Sequence, residues 1–115
     1  MGYHEDKARE AYDTFAAPFK ERAKAQYRQC KTAADLHALS KQCWKEANEA
    51  ARTINRNGYD NMTRHGCAPY DRYSALYDQA RTYAIEFWRK AKRIEEGEAP
   101  ETVMPHLKRM ADMQS

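Results

Sequence analysis

The side chains best suited to metal chemistry are Cys30, Cys43 and Cys67, together with His37 and His65. Structural zinc is usually held by ligands paired at short spacings, with about two to four residues between two cysteines. The nearest pair here is His65 and Cys67, and the other cysteines stand alone on helical faces. At helical periodicity His37 and Cys43 fall about 120° apart, too far round to share an ion. The expectation is no metal and no cofactor, with the cysteines acting as small hydrophobes. Catalytic patterns are equally absent: there is no Gly-rich phosphate loop, no nucleophile elbow and no H-E-x-x-H. The carboxylates sit among bases at helical pairing distance, as Lys45 and Glu49 do, which is worth a few tenths of a kcal/mol to a helix. A thin helical domain also offers little concave volume from which to exclude water. The sequence therefore reads as non-enzymatic.

Binding chemistry is better represented. Lys20, Lys24, Arg28 and Lys31 form one basic row, and Lys41, Lys45, Arg52 and Arg56 form a second. Such rows can follow a phosphate backbone by releasing counterions, although long basic side chains also fill ordinary solvated faces. Glu21, Glu46 and Glu49 dilute the field, and no helix-turn-helix, zinc-finger or aromatic RNP pattern accompanies the rows. A second group surrounds the Asn57–Ala68 stretch: Arg52, Arg56, Tyr59, Asn61, Arg64, His65, Tyr70 and Arg72. Arg and Tyr dominate binding hot spots because they combine rigid contact area with hydrogen bonding. Trp44 lies about 80° from the centre of its helix's apolar stripe, beside His37, Lys41 and Asn48, and Trp88 is placed similarly on the third helix. An edge tryptophan usually caps the core with its N–H wet, and otherwise anchors a partner. Of the tyrosines of the third helix, Tyr73, Tyr77 and Tyr83 fall within its apolar stripe. That favours a core rim over a base-stacking platform.

The elements that position these groups are helices. From Tyr70 to Glu96, residues Tyr73, Leu76, Tyr77, Ala80, Tyr83, Ala84, Phe87, Ala91 and Ile94 fall in one stripe about 120° wide. Pro69 marks its start and Gly97 its end. A helix over 33–56 presents Leu36, Leu39, Cys43, Ala47, Ala50 and Ile54, with Thr32 and Asp35 as a capping arrangement and Asn57-Gly58 as the stop. A first helix over about 4–30 carries Ala8, Tyr12, Phe15, Phe19, Ala23 and Cys30, and Pro18 either kinks it or restarts it. The short Lys31-Thr32 link predicts an antiparallel hairpin of the first two helices. The twelve residues from Asn57 to Ala68 predict a long loop of the kind that often carries function. Pro100 and Pro105 frame a short Met-bearing segment over about 101–113.

The chain has 115 residues and a net charge of +3, and only 11 of the residues are Leu, Ile, Val or Phe. Nineteen alanines and thirteen aromatic residues supply the apolar content instead. No apolar run reaches the roughly 18–20 residues of a membrane span. The charged first ten residues do not read as a signal peptide, and an odd cysteine count fits a reducing cytoplasm. The expected fold is all-α: one domain, residues 1–115, an antiparallel bundle of three long helices with a short C-terminal helical segment. So few large aliphatic side chains leave such a bundle marginal on area grounds, which admits a homodimer or a partner. The functional expectation is a small regulator or inhibitor that binds another protein through Trp44, Arg52, Arg56, Tyr59, Arg64, His65, Tyr70 and Arg72. From size and type alone, it would be of the phage- or plasmid-encoded kind. The competing reading is a nucleic-acid-binding accessory protein using Lys20, Lys24, Arg28, Lys31, Lys41 and Lys45.

Overall fold

The computed structural model describes residues 9–10, 12–58 and 68–109. A π-helical turn, Tyr12–Ala16, leads into α1, Ala17–Tyr27. Two long helices follow, α2 (Ala33–Arg56) and α3 (Ala68–Glu95), and then a single turn, α4 (Pro100–Val103). The protein is an all-α bundle of antiparallel helices closed at one end by this short C-terminal segment.

The ends of α2 are written locally. The Thr32 hydroxyl accepts from the Asp35 N–H at 3.1 Å, and the Asp35 carboxylate accepts from the Thr32 N–H at 3.2 Å and the Lys31 N–H at 2.9 Å. This reciprocal box satisfies N–H groups that a helix start otherwise leaves bare. At the other end Asn57 is the cap, and Gly58 turns the chain out at φ +67°. α3 ends in a Schellman motif, in which Gly97 N–H reaches the Ile94 carbonyl and Glu98 N–H reaches that of Arg93, both at 3.0 Å. Gly97 holds φ at +113°. The Arg93 guanidinium fastens the motif by donating twice to one Glu98 oxygen, at 2.7 and 3.0 Å.

The first helix changes type just before Pro18: the π-helical turn ends at Ala16 and α1 begins at Ala17 with the proline in its first turn, close to the expected restart but without a break in the helical backbone. Ala16 is already helical, at φ −77° and ψ −31°, and the chain passes through the proline on the wide π-helical turn just before it. A proline leaves one carbonyl of the preceding turn without its usual donor, and such a turn redistributes that bonding. The helix also stops earlier than the expected Cys30. After Tyr27 the bonds shorten to the i→i−3 pattern, Gln29 to Gln26 and Cys30 to Tyr27, and this brings Cys30 into the core.

The principal pairing is α2 against α3. At roughly 1.5 Å per residue, their 24 and 28 residues give rods of about 36 and 42 Å. Ala47, Ala50, Ala80, Ala84 and Ala91 are all buried, and their small size lets the two backbones come close. Ser40, also buried, donates to the Ala84 carbonyl at 2.6 Å across this seam. α1 lies on one face of the α2–α3 pair and runs parallel to α3: Phe15 meets Tyr73, Phe19 meets Tyr83, and Tyr27 stacks on Phe87 at 5.5 Å. These contacts place Tyr73 and Tyr83 in the aromatic layer between helices. The short Lys31-Thr32 link makes α1 antiparallel to α2 as expected, yet its ring contacts go to α3.

The C-terminal segment caps this layer. Val103 and Met104 are buried, the Tyr27 hydroxyl donates to the Val103 carbonyl at 3.2 Å, and His106 Nε2 donates to the Cys30 carbonyl at 2.8 Å.

Candidate functional site

Because α1 covers one face of the α2–α3 pair, the other face is defined by what α1 leaves. At about 100° per residue, Trp44 sits 80° from Leu36 on α2, and Trp88 sits 80° from Ala80 on α3, both in the same rotational sense. In an antiparallel pair, equal rotations bring two side chains to the same face. The structure shows this directly: Trp44 and Trp88 line one open, shallow depression of about 460 Å³ with His37, Ala38, Ser40 and Lys41. A second depression of about 530 Å³ continues along α2, lined by Trp44, Lys41, Lys45, Asn48 and Arg52. A third, toward the far end, lies between Ala51, Ile54 and Asn55 of α2 and Tyr70, Ser74, Tyr77 and Asp78 of α3.

Trp88 is 48% exposed, the one large hydrophobic side chain so exposed among the described residues. Trp44 is half-buried and leans on the core. Lys92 places its ammonium 5.9 Å from the Trp88 ring centroid, a favourable cation–π distance. His37 Nε2 donates to Glu95 at 2.9 Å across the top of the pair. That hydrogen bond holds the Glu95 carboxyl below the usual carboxylate range. Arg52 pairs with Glu49 at 2.8 Å, whereas Lys41 and Lys45 make no ion pair with any described residue. The face thus combines two tryptophans with a basic border.

The residues expected to form one binding group are divided by the fold. Trp44, Arg52 and Tyr70 lie on the open face. Arg56 is exposed at the end of α2. Arg72 belongs to the other side, its guanidinium 5.5 Å from the Phe15 ring, because α1 docks beside it. Tyr59, Asn61, Arg64, His65 and Cys67 lie outside the described residues.

The two basic rows are also separated. On α1, Arg22 reaches α2 through a 3.0 Å ion pair with Glu46. Lys24 and Arg28 stand about 200° and 240° round α1 from Arg22, pointing away from α2. Lys41 borders the depression that holds both tryptophans, and Lys45 borders the neighbouring one along α2, so the rows do not join into one track. The edge position of Trp88 on the third helix is visible in the sequence, as a cap over the core or an anchor for a partner. Its meeting with Trp44 depends on the register of two helices 44 residues apart in the chain. Among the described residues no three His, Cys, Asp or Glu side chains are gathered to hold a metal, and no helix is long and apolar enough to cross a membrane. Burial pushes the Cys30 thiol up to about 11 and the Cys43 thiol up to about 12, unsuited to nucleophilic work at neutral pH. No protein-family model matches this chain, and no curated protein and no solved structure matches it either.

Proposed function

We propose that this chain is a non-enzymatic binding protein that docks another protein on the open face of the α2–α3 pair. It would act as a regulator or inhibitor of the phage- or plasmid-encoded kind. One observation carries the reading: Trp44 and Trp88 share a single shallow depression, with Trp88 nearly half exposed. Tryptophan is among the residues most enriched at interface hot spots, and such anchors are effective when a partner desolvates them together. An open depression backed by rigid helices suits steric occlusion of a partner better than enclosure of a small substrate.

Nucleic-acid binding is the second reading, and the separation of the two basic rows weakens it. A photocrosslinking residue placed at Ile85, beside Trp88 on α3, tests the choice in the protein's own cells, with the same residue at Arg28 as control. A discrete protein adduct from position 85 and none from position 28 is the expected result. Nucleic-acid adducts, or adducts from position 28 alone, would overturn the reading. So would the absence of any adduct at position 85.

A further inference from the structure

We infer that the partner docked on the open face is an acidic amphipathic helix, seated between Trp44 and Trp88 as a fourth helix of the bundle. The inference rests on the protein-binding reading above and adds the chemistry of the occupant. Its shape follows from the opposite face, where α1 already shows how the α2–α3 pair holds a helix. There a row of aromatic side chains, Phe15, Phe19 and Tyr27, meets Tyr73, Tyr83 and Phe87 along the groove. The open face repeats the arrangement without a described helix on it: Trp88, Trp44, Tyr77 and Tyr70 run along the groove from one end to the other. Two antiparallel helices present grooves on both faces, and a four-helix bundle fills both.

The charge of the occupant follows from the border. Arg52 is engaged by Glu49 and Glu95 by His37, which leaves Lys41 and Lys45 on α2 and Lys92 beside Trp88 on α3 against Asp78. A helix with leucines toward the tryptophans and Asp or Glu on its flanks would set opposite charge against this border, which speeds encounter and rejects basic competitors. A second copy of this chain would instead bring two such borders together, setting like charge against like. A nucleic-acid duplex would meet only one of the two basic rows.

The chain carries its own reporter, because its only two tryptophans are the two on this face. The experiment titrates the full chain with a synthetic amphipathic peptide of about 20 residues, its apolar face leucine and its flanks Asp and Glu. Parallel arms use a matched peptide with Lys flanks and a mixed-sequence duplex DNA. Tryptophan emission and its quenching by iodide are recorded. The acidic peptide should shift emission to the blue and shield both rings from iodide, saturating at about 1–100 µM, the range of a modest interface. The double variant Lys41→Glu, Lys45→Glu should weaken this tenfold or more. Lys24→Glu, Arg28→Glu on the other side should leave it unchanged, with circular dichroism confirming that both variants keep their helices. Equal response to the Lys-flanked peptide would overturn the inference, as would a response to the duplex alone, or none up to about 1 mM acidic peptide. An emission shift that follows protein concentration together with a doubled mass by light scattering would also overturn it, in favour of a second copy. If position 85 crosslinks to a protein while the acidic peptide fails, only the acidic helix falls. If neither gives a signal, the protein-binding reading falls with it.

Discussion

The Ser40 hydroxyl donates to the Ala84 backbone carbonyl at 2.6 Å, a buried polar bond across the seam between the two long helices. It sits beneath the depression that Trp44 and Trp88 share, so it fixes both the spacing of the helices and the floor of the candidate site. A buried hydroxyl is tolerated in a helix seam only when it finds an acceptor, and here the acceptor is a carbonyl already within a helix. Replacing Ser40 by Ala removes donor and hydroxyl together and leaves that carbonyl its helical partner. The expected cost is about 1 kcal/mol, read as a lower urea midpoint with unchanged slope. Ser40→Leu inserts volume into a seam built on alanine and should cost more, about 1–3 kcal/mol. It should also shift tryptophan emission by moving the helices apart. Equal stability of Ser40→Leu and wild type would contradict the close seam.

The capping box at Thr32 and Asp35 gives α2 a dependence on acid. The Asp35 carboxyl is held below its ordinary value of 3.8, first by the Lys31 backbone N–H and then by groups of Thr32. A carboxyl depressed on folding contributes stability above its unfolded value, and loses it as pH falls through the folded one. The stability difference between wild type and Asp35→Asn should therefore be full at pH 7 and 5, and should narrow once pH drops below about 3.8. Urea midpoints of both proteins at pH 7, 5 and 3 check this. A difference unchanged at pH 3 would show that the charge of Asp35 does not matter.

Alkali should act on the buried thiols in the opposite sense. Burial is the main cause that lifts Cys30 to about 11 and Cys43 to about 12 from an ordinary 9.0. An acid whose folded value is raised contributes stability that is complete below its unfolded value, and that is lost as pH rises from there toward the folded one. Stability should decline from about pH 9 upward, and Cys43→Ala should flatten part of that decline. At pH 8 iodoacetamide should leave Cys30 and Cys43 unmodified in the folded chain and alkylate both in urea, as read by peptide mass. Rapid labelling of Cys43 in the folded protein would contradict its burial.

Some of this architecture is legible in the residues and some is not, for definite reasons. The limits of α2 can be read because Thr32, Asp35, Asn57 and Gly58 act on their own neighbours. The stop of α3 at Gly97 is equally local. The path of the first helix is not local in that sense: Pro18 signals a disturbance, but the π turn before it lies between residues whose rings, Phe15 and Phe19, pack on the distant α3. Ser40 looks like a polar break in an apolar stripe, because its acceptor, Ala84, lies 44 residues away. The same distance hides the site. The edge position of Trp44 is visible on its own helix, whereas its pairing with Trp88 needs the register of α2 against α3. Arg72 and Trp44 both lie at the borders of apolar stripes, and only the docking of the first helix, which sets Phe15 beside Arg72, puts Arg72 on the opposite face.

Gly97 offers a test of backbone strain free of crowding. Its φ of +113° is a conformation that side chains resist, yet a Cβ built there would meet nothing within 4 Å. Gly97→Ala should cost about 1 kcal/mol or more through the backbone alone, lowering the melting temperature by a few degrees. Helix α3 should fray from Arg93 onward and loosen the Arg93–Glu98 pair. Hydrogen exchange across residues 93–104 would show faster opening there than across 76–87. A Gly97→Ala protein as stable as wild type would mean that the Schellman turn relaxes without cost.

The two tryptophans should separate stability from binding. Trp88 is 48% exposed and makes its ring contact with Lys92, so Trp88→Ala removes little packing and should change stability by no more than about 0.5 kcal/mol. Trp44 is half-buried and packs against the core cluster, so Trp44→Ala should cost about 2 kcal/mol, less than the loss for a fully buried ring. If the open face holds a helix between them, both variants should weaken binding of the acidic peptide by tenfold or more, despite their unequal effects on folding. Urea titration and peptide titration, the latter followed by anisotropy of a dye on the peptide, measure the two quantities independently. Binding losses that simply follow the stability losses, with Trp88→Ala harmless to both, would place the anchor at Trp44 alone and remove the far wall of the groove.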